Sequence, residues 1–240
     1  MMPCAPASDA PVPGGERKRR TTPRAADGTG WVDRDEEFES AVHAAVDSAY
    51  DNPQMQALIA AMSAGIEPHG WVNSLSQKVI QLTMPGVPDV YQGSELWETS
   101  LVDPDNRRPV DFDERRLYLA AIDAGAHPPI DESGAAKLLV TSRALRLRRD
   151  RPEFFTRYVA IEAYGSAAKH VVAFDRGEAL TVATRLPIGL VRGDGWGDTS
   201  VIVAGRPMTD VFTGQHFDGG TLRLSELLER YPVALLVPSE

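Results

Sequence analysis

The 240-residue sequence contains a single cysteine, Cys4, and therefore cannot form a disulfide bond within the chain. Proteins of oxidising compartments often depend on such bonds. The sequence also lacks an apolar run of the ~20 residues that a membrane-spanning helix needs. Its N-terminus has no apolar stretch followed by a small-residue cleavage site, as a secretory signal would have. These absences predict a cytoplasmic protein with no membrane partner.

Positive charge is in the minority, with 25 Lys and Arg residues against 34 Asp and Glu residues and a net charge of -9. Because clustered cations hold phosphate backbones, we predict no nucleic-acid partner. The sequence has no glycine-rich phosphate loop and no G-x-S-x-G motif. Its five histidines are scattered without the spacing of metal ligands. The histidines therefore do not indicate a metal site, and a serine triad is not supported.

The first 30 residues are rich in Pro, Gly, Ala and Arg and show no apolar periodicity. Such a segment cannot bury enough apolar surface to offset the entropy of ordering, so we predict that residues 1–30 are disordered. The basic run from Arg17 to Arg20 is short, which is typical of solvated charge and does not require a nuclear or nucleic-acid signal.

A helical region is predicted from Trp31 onward. Asp33 and Glu36 have the spacing of a capping box at the start of a helix. Apolar residues at helical spacing predict three helices, over about residues 34–51, 53–64 and 71–82. The second is predicted to end at Gly65 and the third just before Pro85. The apolar run at residues 87–91 predicts a short strand. Helices that lead into one short strand indicate an α/β unit.

The second half of the chain changes character near Pro152. Two more helices are predicted before it, around residues 114–124 and 135–149, after a long polar loop. Beyond Pro152 the apolar period becomes two, which predicts an antiparallel β-sandwich with a hairpin turn at residues 175–178. The strand-like stretches are YVAIEAY, HVVAFDR, EALTVATRL, TSVIVAG and PVALLV. The predicted domains are residues 1–30 (disordered), 31–152 (α/β) and 153–240 (β-sandwich).

The loop between the predicted strand and the next helix holds the densest group of polar and aromatic side chains. They are Gln92, Glu95, Trp97, Asp103, Asp105, Asn106, Arg107, Arg108 and Asp111. Loops at the carboxyl ends of parallel strands carry the binding groups of α/β barrels. Tyr91 and Trp97 offer flat apolar surfaces for sugar rings, and the charged groups offer strong hydrogen bonds to hydroxyls. This composition favours a sugar site.

Other interpretations of this loop remain open from the residues alone. The Asp-x-Asp spacing of Asp103 and Asp105 permits a metal site, although two arginines follow and would repel a cation. The same aspartates and Arg107 would also tie the loop together by ion pairs, without any function. Glu95 and Asp103 have the residue types of a glycosidase acid and nucleophile, but spacing does not establish the geometry.

One long stretch of the sequence resembles the eighth barrel strand region of the maltooligosyl trehalose synthases, a family of α-amylase relatives. It is WVNSLSQKVIQLTMPGVPDVYQGSELWETSLVDPDNRRPVDF, residues 71–112. The motif PGVPDVYQGSE is similar to that of many α-amylase relatives, whereas SLVDPDNRRPVDF is similar to the mutase. TGWVDRDEEFESAV resembles the preceding helix entry, and GDGWGDTSVIVAGRPMTDVFTG with LLERYPVALL resembles the C-terminal β-domain. The resemblance covers about residues 29–240.

The resemblance implies the C-terminal part of a (β/α)8 barrel, with its eighth strand, followed by an antiparallel β-domain. It implies an isomerase that moves the reducing-end glycosidic bond of a maltooligosaccharide from α-1,4 to α,α-1,1 without a cofactor. The residues that it implies for binding the maltooligosaccharide are Tyr91, Gln92, Glu95, Trp97, Asp103, Asn106 and Arg107.

The family's nucleophile, acid and third carboxylate lie on barrel strands four, five and seven, and no segment of this chain resembles those strands. We therefore expect a fragment that is inactive by itself. One alternative is a non-catalytic glycan-binding module, or a module that docks onto a separate chain carrying the rest of the barrel. Another is a fragment of a different α-amylase relative, such as a trehalohydrolase.

Overall fold

The computed structural model describes residues 29–30 and 34–239. The prediction of disorder for residues 1–30 falls mostly on residues outside that range, as does Cys4. The described helices are α1 (Glu36–Asp51), α2 (Pro53–Thr83), α3 (Phe112–Asp123), α4 (Ala135–Asp150), α5 (Pro187–Arg192) and α6 (Leu224–Leu227). In the part of the chain that the structure describes, none of them has the length and apolarity needed to cross a membrane.

The chain separates into two compact units, residues 1–60 and residues 61–240. The boundary predicted near residue 152 lies inside the second unit, so the three-part division stays a prediction.

Helix α1 has its N-cap two residues after the predicted one. Asp35 is its N-cap, and the side chain of Asp35 accepts a hydrogen bond from the amide of Phe38 at 3.0 Å. Asp33, the predicted cap, lies outside the described residues. Three glutamates in the first turn add negative charge at the positive end of the helix dipole. None of the residues of α1 is buried, so its predicted apolar residues, among them Val42 and Val46, are exposed.

Helix α2 corrects the prediction of two separate helices, because it continues without interruption through Gly65, Pro68 and Gly70. A glycine ends a helix by adopting a positive φ, and neither Gly65 nor Gly70 does so. An internal glycine costs only about 1 kcal/mol of helix stability. The apolar residues predicted for the second half of this helix are at its buried face: Leu75, Val79 and Leu82 are fully buried.

Arginines from other elements hold the C-terminal end of α2. The guanidinium of Arg148 donates to the carbonyl of Leu82 at 3.0 Å, and that of Arg176 donates to the carbonyl of Thr83. These are carbonyls that a helix end leaves without partners. Arg148, which lies in the last turn of α4, thus also stabilises the end of the neighbouring helix.

The short strand predicted at residues 87–91 is not formed. These residues lie outside both sheets of the described chain, which contain only residues from Phe155 onward. A strand needs a partner for its hydrogen bonds, and no strand among the described residues pairs with the segment. The two helices predicted next are confirmed as α3 and α4, and all four of their ends lie within two residues of the prediction.

The second half of the chain is antiparallel, as predicted. Its strands are β1 (Phe155–Ile161), β2 (Ala163–Tyr164), β3 (Val171–Gly177), β4 (Leu180–Thr184), β5 (Ser200–Ile202), β6 (Met208–Asp210), β7 (His216–Phe217), β8 (Thr221–Arg223) and β9 (Val233–Pro238). They form a six-stranded sheet, β1-β3-β4-β9-β6-β7, and a three-stranded sheet, β2-β5-β8. The predicted hairpin joins β3 to β4, with Gly177 at φ +126°.

The six-stranded sheet is covered on both faces. Alternate residues along its strands contribute to two different hydrophobic clusters. In β9, Val233 and Leu235 belong to a hydrophobic cluster with residues of α2, α3 and α4. Ala234 and Leu236, which point the other way, belong to a second cluster with Val201 and other residues of the three-stranded sheet. The chain therefore has a mixed architecture of helices and antiparallel sheet, in which the helices α2 to α4 pack on one face of the larger sheet.

Candidate functional site

The first part of the polar loop, residues 89–97, is held by side chains from three helices, and we call it the anchored segment. Gln81 of α2 donates to the carbonyl of Asp89 at 2.6 Å. Arg115 of α3 donates to the carbonyl of Gly93 at 2.8 Å, and Lys137 of α4 donates to that of Leu96 at 2.9 Å. Because each of these donors comes from a packed helix, the backbone of the segment is fixed by the helices in addition to its own turn, in which the amide and hydroxyl of Ser94 donate to the carbonyl of Tyr91.

The guanidinium of Arg115 connects several groups of the loop. It donates to the carbonyls of Asp111 and Gly93 and lies 3.3 Å from the carboxylate of Glu95. The side chains of Arg115 and Glu95 are only 15% and 24% exposed. Since the pair is largely removed from water, its attraction is screened less than that of a surface pair. Glu95 therefore serves the internal structure of the loop in this arrangement.

Two lysines are buried beneath the anchored segment. Burial, and then the nearby charge of Lys78, lowers the pKa of Lys137 to about 8. Burial also lowers the pKa of Lys78, while the charges of Glu95 and Asp89 oppose that shift. The ammonium of Lys78 donates to the side chain of Gln81 at 2.9 Å. The site therefore combines buried positive charge with carboxylates on the overlying loop.

Trp97 is the last residue of the anchored segment, and several contacts hold its side chain. Its indole N–H donates to the carbonyl of Asp131 at 2.7 Å. Its ring stacks with Trp71 of α2, with ring centroids 5.9 Å apart and an angle of 7° between the planes. A Cβ atom added at Gly134 would lie 2.7 Å from the backbone nitrogen of Trp97, so only glycine fits there. These contacts determine the orientation of the indole.

The second part of the polar loop, residues 98–108, is held mainly by its own side chains, and we call it the outer segment. Asp103 pairs with Arg107, and Asp105 pairs with Arg108 at 2.6 Å. Asp105 also accepts hydrogen bonds from the amides of Leu101 and Val102, which shapes a turn. The side chains of Arg107 and Asp103 are 70% and 66% exposed. Ion pairs this exposed contribute at most about 1 kcal/mol.

The structure distributes the predicted sugar-binding residues over both segments. Tyr91 and Gln92 are exposed on the anchored segment, and Trp97 is half-buried there. Asn106 lies beside the ion pairs of the outer segment, and its Oδ1 is buried without a hydrogen-bond partner among the described residues. The residues that these predictions missed are Trp71, Lys78, Arg115, Asp131, Gly134 and Lys137.

The two carboxylates considered as a glycosidase pair have separate partners. Glu95 is paired with Arg115 of α3, and Asp103 is paired with Arg107 of its own loop. The aspartates of the metal alternative are likewise each paired with an arginine. Within residues 29–30 and 34–239, no three side chains of the metal-binding types are grouped in a way that would hold an ion. The ion pairs that one interpretation of the loop predicted are thus present in the structure.

Comparison with known proteins gives one consistent result. No family model matches the chain. It is 43% identical over 212 residues to proteins named putative maltooligosyl trehalose synthase from two strains of Mycobacterium tuberculosis, CDC 1551 / Oshkosh and ATCC 25618 / H37Rv. The match covers 87% of this chain and 26% of each relative. The chain therefore spans about a quarter of the length of the curated relatives it matches.

Solved structures agree with the sequence match. The maltooligosyltrehalose synthase of Arthrobacter ramosus aligns with a TM-score of 0.86 and 49% identity, over 89% of this chain and 28% of that one. A hypothetical maltooligosyl trehalose synthase of Sulfolobus tokodaii aligns with a TM-score of 0.62 and 26% identity, over 88% of this chain and 26% of that one. The part matched is the C-terminal part of the Arthrobacter enzyme.

Proposed function

The chain is homologous over most of its length to the C-terminal part of maltooligosyl trehalose synthases, which are α-amylase relatives, and from this premise we propose its role. It provides the C-terminal part of an isomerase that moves the reducing-end bond of a maltooligosaccharide from α-1,4 to α,α-1,1. The observation that carries this proposal is the TM-score of 0.86 at 49% identity with the Arthrobacter enzyme, across 89% of the chain.

In this proposal the polar loop binds the maltooligosaccharide. The anchored segment presents Tyr91 and Gln92 at the surface on a backbone that three helices hold in place. The outer segment presents Asp103, Asn106 and Arg107. A binding site gains affinity when its backbone is ordered before the ligand arrives, because less entropy is lost on binding. The anchored segment is suited to this task, and the outer segment supplies exposed charged groups for sugar hydroxyls.

The remainder of the barrel completes the catalytic site in this proposal. Residues 87–91 pair with parallel strands of that remainder and become its eighth strand, which accounts for their lack of partners in this chain. The reaction is a retaining double displacement, in which one carboxylate attacks the anomeric carbon and a second carboxyl group protonates the leaving oxygen. The released glucose then attacks in place of water. In this proposal Glu95 and Asp103 belong to the binding loop, where each is paired with a different arginine, and the reacting carboxyl groups come from the rest of the barrel.

A chimaera tests the proposal. In the Arthrobacter enzyme the matching C-terminal part is replaced by residues 29–240 of this chain, and the product is incubated with maltopentaose. We expect loss of reducing ends without release of free glucose, at a rate within about tenfold of the parent enzyme, because the two segments share one fold. The controls are the parent enzyme and a chimaera whose strand-seven carboxylate is removed. A folded chimaera without this activity would contradict the proposal.

Assays of the isolated 240-residue chain test the alternative that it is a glycan-binding module. We expect it to leave the reducing ends of maltopentaose unchanged, because the attacking and protonating carboxyl groups come from the rest of the barrel. Conversion of maltopentaose by the isolated chain would show that a full set of catalytic groups is present in it. Tight binding of maltopentaose together with an inactive chimaera would favour a stand-alone glycan-binding module.

A further inference from the structure

A groove of about 570 Å³ lies beside Trp97, on the side of α2, and contains none of the other residues predicted to bind sugar. The side chains that define it are Glu67, His69, Trp71, Asn73, Trp97 and Glu98. Its volume is within the range of ~300–1,000 Å³ that is usual for small-molecule sites. The anchored and outer segments together therefore do not account for all the concave surface in this part of the chain.

The two tryptophans give the groove a rigid aromatic wall. Trp71 and Trp97 are parallel within 7°, with centroids 5.9 Å apart, so the two rings are stacked on each other. Trp97 is held by its hydrogen bond to Asp131 and by the close approach of Gly134. The ammonium of Lys137 lies 5.9 Å from its ring centroid. Because the indole of Trp97 is fixed, the ring of Trp71 that stacks on it also has a defined orientation.

The rest of the lining combines polar and acidic side chains with the apolar side chains of Ile66 and Ile188. His69 and Asn73 offer hydrogen-bond donors and acceptors along one side of α2. The hydroxyl and amide of Ser100 donate to Glu98, and these bonds hold the pKa of its carboxyl below the usual range. Glu98 is thus a charged acceptor. Among the described residues that line the groove there are two glutamates and no lysine or arginine, so the groove repels anions.

We propose that this tryptophan groove binds a neutral glucan segment, with a pyranose ring against Trp71 and its hydroxyls bonded to Asn73 and Glu98. Flat aromatic surface next to charged and amide acceptors suits a ligand that is apolar on its ring faces and hydroxylated at its edges. Phosphorylated sugars and nucleotides are disfavoured by the two glutamates. The choice of a glucan rests on the proposed function, whereas the location of the site rests on the groove itself.

Titration of the 240-residue chain with maltopentaose, followed by calorimetry and tryptophan fluorescence, tests the groove. We expect binding by the natural chain and a loss of affinity of about three- to tenfold in Trp71→Leu, which matches the usual contribution of one aromatic contact. Trp71→Phe retains a ring and should keep most of the affinity. Trp196→Phe, in the core of the β-domain, is the matched control and should leave the affinity unchanged.

A second variant tests the groove without changing either tryptophan. Asn73 is exposed on α2, so Asn73→Leu preserves the helix while removing a hydrogen-bonding group, and we expect a two- to threefold loss of affinity, as for about half a kcal/mol. Urea unfolding of each variant verifies that the fold is retained.

The outcomes separate the two proposals. If Tyr91→Ala abolishes binding while Trp71→Leu and Asn73→Leu leave it unchanged, the groove is not the site, although the proposed function stands. If the natural chain binds no maltopentaose while the chimaera is active, the groove proposal is again overturned alone. If the chain does not bind and the chimaera is inactive, both proposals fail.

Discussion

The two halves of the polar loop are adjacent in sequence but are stabilised by different means. The anchored segment receives hydrogen bonds from buried or half-buried side chains of α2, α3 and α4. The outer segment depends on exposed ion pairs between residues three or four positions apart. Removing a buried donor leaves its partner unsatisfied inside the protein, whereas an exposed partner is taken up by water. The comparison teaches that one half of the loop is part of the core, while the other half can rearrange at little energetic cost.

The largest effect is expected where the anchored segment meets α4. Gly134→Ala places a methyl group 2.7 Å from the backbone nitrogen of Trp97, at a residue whose φ is +70°. Left-handed backbone and overpacking together should cost about 3 kcal/mol of unfolding free energy, measured by urea denaturation. Gly125→Ala is the matched control, because Gly125 also has a positive φ but has no atom near the added Cβ. Equal losses in the two variants would show that Trp97 moves aside freely.

The next effect concerns the buried charge of Lys137, whose pKa is lowered from 10.5 to about 8. Below pH 8 the lysine is charged in both the folded and the unfolded chain, and its burial destabilises the fold. Between pH 8 and 10.5 the unfolded chain binds more protons, so the unfolding free energy contributed by this group rises with pH. We expect the stability difference between the natural chain and Lys137→Met to shift by about 2 kcal/mol in favour of the natural chain from pH 7 to 9.5.

Urea denaturation of both proteins at several pH values measures this shift. The variant removes the group in question, so the titration of side chains that are not coupled to Lys137 cancels in the difference. A difference that does not change with pH would mean that the ammonium of Lys137 is hydrated.

The smallest effect compares the two halves of the loop directly. Arg115→Ala should cost about 1.5 kcal/mol, between the values for buried and surface pairs, because Glu95 and the carbonyl of Gly93 lose a half-buried partner. Arg107→Ala removes an exposed pair and should cost less than about 0.5 kcal/mol. Addition of 1 M NaCl should appreciably alter only the cost of Arg107→Ala, since exposed pairs are screened by salt. Equal costs for the two variants would remove the distinction between the segments.

Much of the fold could be predicted from patterns of short range. The alternation after Pro152 identified the antiparallel half and the hairpin between β3 and β4, because a half-buried strand imposes a period of two. Helical periodicity identified α3, α4 and the buried face of α2 at Leu75, Val79 and Leu82 for a similar reason. Strands β6 to β8 are not predicted, since two or three residues are too few to show a period, whereas the equally short β2 and β5 lie within longer alternating stretches.

The errors in the helical part have physical causes too. Gly65 was interpreted as the end of a helix, but glycine only permits the positive φ that ends one, and the chain did not adopt it. Residues 87–91 have the composition of a strand, but a strand also needs a neighbour. For the site, Lys78 and Lys137 were passed over, although a lysine within an apolar helical stripe is a visible signal of a buried charge.

The sequence by itself determined which residues are apolar, at what period they recur and which loop is rich in polar groups, because these properties belong to single residues and their neighbours. The tertiary structure alone decided that Arg115 and Lys137 hold the anchored segment, that Trp71 stacks on Trp97 and that Gly134 leaves room for that indole. These contacts join residues up to 41 positions apart. Their formation depends on how the helices and the sheet pack together, and that packing is a property of the whole chain.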